Sequence, residues 1–199
     1  SRVLRLGESA EAGEELSALG FGSIAHDLLE QFYREIKDSL PVFLEGQALR
    51  IFDRIAKETV AQREAKGEWL GLPALWPVTK SSVLDCVRAY IGWELEYLDR
   101  KGEVPRLIEH RFGFEAPCVI RGGDIGGNQV KLCIRGRIDR VDSHGDGDRV
   151  RHHVLDYKLG SIPRKSGYQD GSVLQGPIYL RVVGESGLPV GKCRYRSIG

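Results

Sequence analysis

The apolar residues of this chain change their period once, near Pro105, and that change limits what it can fold into. From Phe21 to about Arg100 they recur every three or four positions, the spacing of a helix face. Gly20–Ser23 is predicted to be a turn with Ser23 as N-cap, opening a helix along Ile24, Leu28, Leu29, Phe32 and Ile36. A second helix is expected to start at Pro41 and to carry Phe43, Leu44, Leu49, Ile51, Phe52 and Ile55. An aromatic-rich connection over 67–77 leads to a third, capped by Ser81 or Ser82, with its stripe at Leu84, Val87, Ile91, Leu95 and Leu98. Beyond Pro105 the period becomes two, so strands are expected. Leu107–Phe114 and Cys118–Arg121 are candidates, and Val130, Leu132, Ile134 and Ile138 mark a half-buried strand. A polar loop over 143–148 then leads into a return strand, Val150–Leu159, and the last helix covers Tyr168–Val183. Val154, Leu155, Ile134 and Ile138 are the expected core of the sheet.

That order predicts one α/β domain over 1–199, with a helical part over 20–100 and a sheet core over 105–183. A chain of 199 residues can bury a core without disulfides. Its 41% hydrophobic and 29% charged residues exclude a disordered tail or a fibre. Net charge is only +1, but it is unevenly spread: residues 131–199 carry 13 basic against 7 acidic groups. Cys86, Cys118, Cys133 and Cys193 lie too far apart for a zinc or iron–sulfur site within the chain, so they read as buried free thiols. The chain starts at Ser1 and contains no Met, as expected of a fragment cut from a larger protein. No apolar run is long enough to span a membrane, so a membrane partner is not expected. Neither a dinucleotide fingerprint nor a P-loop is present.

The chemistry-bearing residues gather in the second half. On a strand, Asp156 and Lys158 share a face. An antiparallel return through the 143–148 loop would set Asp139 beside Asp156. Paired carboxylates are ligands for a hard divalent cation, and a lysine beside them can orient water for attack on a phosphodiester. The same Asp–Lys spacing also suits a surface ion pair. His26 lies one helical turn from Glu30, which can orient it, and Gly22 permits close approach of the chain there. His26 equally suits an ordinary helix-rim residue. His152 and His153 face opposite ways on a strand, so they read as a satisfied or solvated pair rather than a zinc site. Gln175 and Tyr179 share a helix face. Arg135, Arg137, Arg140, Arg149, Arg151, Arg164 and Lys165 surround the centre, as phosphate contacts would.

Taken in order, Gly22-x-x-x-His26-x-x-x-Glu30, Gly136-Arg-Ile-Asp139-Arg, Asp156-Tyr-Lys158-x-Gly160 and Gln175-x-x-x-Tyr179 resemble the RecB-like branch of the PD-(D/E)xK nuclease superfamily. Within it they most resemble the C-terminal nuclease domain of AddB-type helicase–nuclease subunits, over residues 20–183. The resemblance implies a restriction-endonuclease-like core, a mixed central β-sheet flanked by helices. It implies a Mg²⁺- or Mn²⁺-dependent deoxyribonuclease, an exonuclease acting on single strands or duplex ends. His26, Asp139, Asp156 and the carbonyl of Tyr157 would hold the metal, and Lys158, Asp156 and Asp139 would be catalytic. Gln175 and Tyr179 would help position the lysine and DNA, and Arg137 and Arg140 are expected as auxiliary residues that position the DNA. Glu109 matches a glutamate often seen before the core strands. A helicase partner, double-strand break repair and a cytoplasmic, nucleoid-associated setting are implied as well. Many AddB-like domains clamp their ends with an iron–sulfur cluster; its cysteines are missing here, so a cluster would belong to the full-length protein only. The rival expectation is a non-catalytic DNA-binding or scaffold module of a helicase complex, whose arginines bind the backbone while the carboxylates merely satisfy them.

Overall fold

In the computed structural model the described residues are 12–39, 45–68, 73–125, 128–159, 161–169 and 171–198. Three long helices come first: α1 (Ala12–Ile36), α2 (Glu45–Ala65) and α3 (Trp76–Lys101). Their stripes meet in one core that includes Ile24, Leu28, Phe32, Phe52, Val87 and Ile91. Helix α1 runs straight through Gly20–Ser23, which the sequence had suggested as a turn. Two helical glycines cost roughly 1 kcal/mol each, and burial of the α1 stripe outweighs that. Gly22 does serve close approach: a Cβ there would lie 3.3 Å from Leu159 Cδ1. Helix α3 starts at Trp76 with Pro77 in its first turn, ahead of the expected serine cap. Pro41, Phe43 and Leu44, expected to open the second helix, lie outside the described residues, as does part of the 67–77 connection.

Past α3, Gly102 adopts a left-handed conformation (φ 60°) and ends the helix. Strands β1 (Glu103–Phe112), β2 (Cys118–Ile125), β3 (Asn128–Ile134), β4 (Gly136–His144) and β5 (Arg151–Lys158) follow. A short helix α4 (Lys165–Gln169) and α5 (Gln175–Glu185) then lead to β6 (Val190–Ser197). The continuous strand expected from Val130 to Ile138 is broken at Arg135, so β3 and β4 belong to different sheets. The central sheet has the order β1-β4-β5-β6, and β2 and β3 form a separate hairpin. β1 and β5 both pair antiparallel with β4, whereas β6 joins β5 in parallel after the helical crossover.

The fold is thus α/β, a mixed sheet with helices packed on it, as expected. Strand β6 was not expected and extends the sheet core beyond 183. Val154, Leu155 and Ile138 are fully buried, and Ile134, partly buried, packs against the cluster that holds Val154 and Ile138. The four cysteines are free, but none is buried and Cys133 is exposed, contrary to the expectation. No helix among the described residues is long and apolar enough to cross a membrane.

Candidate metal centre

The β4–β5 register pairs Arg140 with Leu155, which sets Asp139 beside Asp156 at the neighbouring position. Helix α1 brings His26 against the same end of the sheet, and β1 supplies Glu109. His26 Nδ1 lies 3.6 Å from Asp139 Oδ1 and 3.7 Å from Glu109 Oε1. One ligand atom from each of His26, Glu109 and Asp139 falls within a 4.8 Å cluster. Glu109 and Asp139 are buried, and His26 is half-buried.

Glu109 has φ 50°, in the left-handed region that a side chain rarely adopts. Such a residue costs on the order of 1–3 kcal/mol and collects at functional sites. Sequence reasoning gave Glu109 an auxiliary place; the structure puts it among the three closest donors. Its backbone angle leaves no trace in sequence, whereas a glutamate on a strand opposite Asp139 does.

Each remaining group is held. Asp139 Oδ2 accepts the Tyr157 amide at 2.8 Å. Lys158 Nζ lies 2.6 Å from Asp156 Oδ2 and donates to Gln175 Oε1 at 3.0 Å. Gln175 Nε2 in turn donates to the Tyr179 hydroxyl at 3.0 Å. Arg137 Nε pairs with Glu109 Oε2 at 2.6 Å while its side chain stays 53% exposed. Tyr195, from the unexpected β6, lies beneath Lys158, with its ring centroid 5.6 Å from Nζ.

The electrostatics are those of a site with too many carboxylates. Burial pushes the Asp139 acid up to about 6, against the pull of His26, with Asp156 and Glu109 adding to the rise. Asp156 is also raised, because burial outweighs its Lys158 partner. Desolvation lowers the His26 basicity, but Glu109, Asp139 and Asp156 together raise it above its ordinary value. Burial pushes the nearby Cys193 thiol up to about 11. Three carboxylates thus face one imidazole, Lys158 and Arg137. A set of carboxylate oxygens with one imidazole nitrogen fits a divalent cation of the Mg²⁺ or Mn²⁺ kind.

Two expected residues lie elsewhere. Arg140 was expected to reach DNA, but it is fully buried. Its Nη2 bonds Glu94 at 2.6 Å, its Nε sits 2.8 Å from Asp142, and its Nη1 donates to Tyr157 at 2.9 Å. The reason is its face: it points into the helical layer, where Glu94 of α3 neutralises it. Glu30 pairs with Arg34 at 2.9 Å rather than with His26. His152 and His153 are both buried and satisfied. His152 Nδ1 is 3.1 Å from Ser143 Oγ, and His153 Nδ1 is 2.8 Å from Arg194.

Residues 1–198 match the family model described as the PD-(D/E)XK nuclease superfamily. No curated protein matches the chain.

Proposed function

The chain belongs to the PD-(D/E)XK nuclease superfamily, and from that premise we propose that it is a Mg²⁺-dependent deoxyribonuclease that hydrolyses phosphodiester bonds. The observation that carries this reading is the meeting of His26, Glu109 and Asp139 in one cluster beside the Asp156–Lys158 pair. His26, Asp139 and Asp156, with Glu109 and the carbonyl of Tyr157, would hold Mg²⁺ or Mn²⁺. Bound there, the cation supplies Lewis-acid stabilisation of charge on the phosphoryl oxygens and a more acidic water. The chain's own residues do the rest. Lys158, fixed between Asp156 and Gln175, directs its ammonium at the attacking water. Tyr179 holds the Gln175 amide, so the lysine reaches its position through a chain of three side chains. Arg137, half-exposed beside Glu109, offers its free donors to a phosphate.

The motif order supports an AddB-like exonuclease that works beside a helicase in double-strand break repair, in a cytoplasmic, nucleoid-associated setting. An iron–sulfur cluster would belong to a longer chain. The test is Mg²⁺- or Mn²⁺-dependent degradation of end-labelled single-stranded DNA, with Lys158→Ala alongside. The wild type should shorten the label, and the variant should lose on the order of 10²-fold or more in rate while its circular dichroism is unchanged. Equal rates in the two proteins would sink the assignment.

A further inference from the structure

Strand β1 leaves the metal centre at Glu109 and ends at Phe112, three strand positions later. Along that short path the surface becomes basic and aromatic. Arg111 and Arg137 are direct cross-strand partners on β1 and β4. Like charges placed directly opposite are destabilising in a sheet, and both side chains are exposed. Arg137 pairs with Glu109 through Nε alone at 2.6 Å, and its side chain stays 53% exposed. Arg111 has no carboxylate partner among the described residues; its guanidinium lies 4.4 Å from the centroid of the Phe114 ring. Phe114 is itself 51% exposed, so one face of its ring is open to solvent beside Arg111.

The corner that presents this ring is closely packed. Gly113 has φ 75°, and a Cβ there would run into the Ile134 carbonyl and Arg135. A Cβ on Gly136 would lie 2.7 Å from the Phe112 ring. These two glycines pull the end of β1 against the β3–β4 junction and leave Phe114 projecting. Beside it runs a groove of about 330 Å³ whose lining includes Phe114, Pro117, Cys133 and Arg135 together with one acidic residue, Glu115, against the three arginines Arg111, Arg135 and Arg137 around it. Arg135 is exposed as well.

We propose that Phe114 and Arg111 form a base-stacking step for single-stranded DNA next to the cleavage site, with Arg135 and Arg137 taking the flanking phosphates. The proposal rests on the nuclease reading and names the strand form that the same site receives. Charge complementarity selects an anionic chain. The exposed ring selects one whose bases are unpaired, since aromatic stacking is open only to bases out of a duplex. Arginine over the ring adds a cation–π contribution. Five residues separate Glu109 from Phe114, so at most about 17 Å of chain lies between them. One strand can therefore touch both.

The test uses the full chain with Lys158→Ala as the parent, so that DNA binds without being cut. Binding of a fluorescein-labelled oligothymidylate and of a hairpin duplex is followed by anisotropy in Mg²⁺. Phe114→Ala should weaken oligothymidylate binding roughly 5- to 150-fold, with duplex binding unchanged, and Phe114→Trp should restore it. Arg111→Gln should flatten the dependence of log K on log salt by about 0.7, the contribution of one phosphate contact on a single strand. Unchanged oligothymidylate affinity in Phe114→Ala, or an equal loss for both DNA forms, overturns the stacking step. In the Lys158-intact protein, Phe114→Ala should raise KM for single strands while kcat stays near the wild-type value. If the wild type cuts DNA and this KM does not move, the stacking step alone fails. If the wild type neither cuts nor binds DNA, the nuclease reading fails and takes the proposal with it.

Discussion

Asp139 is pulled two ways. Its Oδ2 is tied to the Tyr157 amide, and its Oδ1 faces His26 in a buried cluster of carboxylates. Burial raises its folded pKa from 3.8 to about 6. A carboxyl raised in this way gives a stabilising contribution that is complete below 3.8 and lost as pH rises through about 6. His26 has the same sign, since its folded value is raised too and its contribution fades as pH climbs past its ordinary 6.5. The metal-free protein should therefore lose stability between pH 4 and pH 7, where the deprotonated cluster repels itself. A divalent cation reverses this by binding the deprotonated groups, and its binding releases protons. The melting temperature measured with and without Mg²⁺ should separate little near pH 5 and clearly near pH 7.5, and calorimetric titration in buffers of different ionisation enthalpy should show proton release. An equal Mg²⁺ shift at both pH values would remove Asp139 from the ligand set.

Helix α5 matters to the site through a single side chain. Gln175 stands at its first turn, accepting from Lys158 and donating to Tyr179. Truncating it leaves the helix face intact, since Val182 and Val183 supply its buried contacts. Gln175→Ala should thus lower kcat on the order of 10-fold through a lysine less well aimed, with KM and the urea midpoint close to wild type. Steady-state kinetics beside equilibrium unfolding separates this from loss of fold. The elements differ in how far their sequence reveals them. Strand β5 and the Asp139–Asp156 juxtaposition follow from alternation and a return loop, whereas the break at Arg135 that separates β3 from β4 leaves the alternation unchanged and so does not show in it. Strand β6 escaped that reading because its alternate positions are Lys192, Arg194 and Arg196, where a half-buried strand usually shows aliphatics. Arg194 is instead neutralised by Glu103, at 2.8 Å to one oxygen, and Arg196 stands 3.5 Å from Glu94. Such pairings link residues far apart in the chain, so local periodicity does not contain them. The burial of Arg140 has the same origin: nothing near it announces Glu94, a partner 46 residues away. The passage of α1 through Gly20 and Gly22 likewise depends on packing that only the assembled helical layer provides.

The whole molecule divides its active groups between two layers. His26 belongs to the helical layer, while Glu109, Asp139, Asp156 and Lys158 belong to the sheet. The same layers are joined by the buried Arg140–Glu94 pair and by Arg196 packed over Trp93 and Tyr97 of α3, at 4.9 and 4.3 Å from their ring centroids. Opening the layers would break the buried Arg140–Glu94 pair and leave Arg140 with Asp142 alone, its neighbour on β4, at several kcal/mol for a buried pair that loses one partner. Partial unfolding of one layer is thereby disfavoured, and the chain should unfold as one unit. All three tryptophans, at positions 69, 76 and 93, precede the sheet. Tryptophan fluorescence then reports Trp76 and Trp93 of α3, Trp93 at its joint with β6, and backbone circular dichroism reports both layers. Urea titrations followed by the two signals should coincide, as a two-state transition requires. Mg²⁺ at about 100 times its Kd should add roughly 2.7 kcal/mol to both curves together, since a ligand that binds only the folded state stabilises all that must fold to make its site. A fluorescence transition that precedes the circular dichroism transition, or that stays fixed while Mg²⁺ moves the other, would mean that His26 is not carried to the sheet by a common fold. The metal centre would then rest on the strands alone.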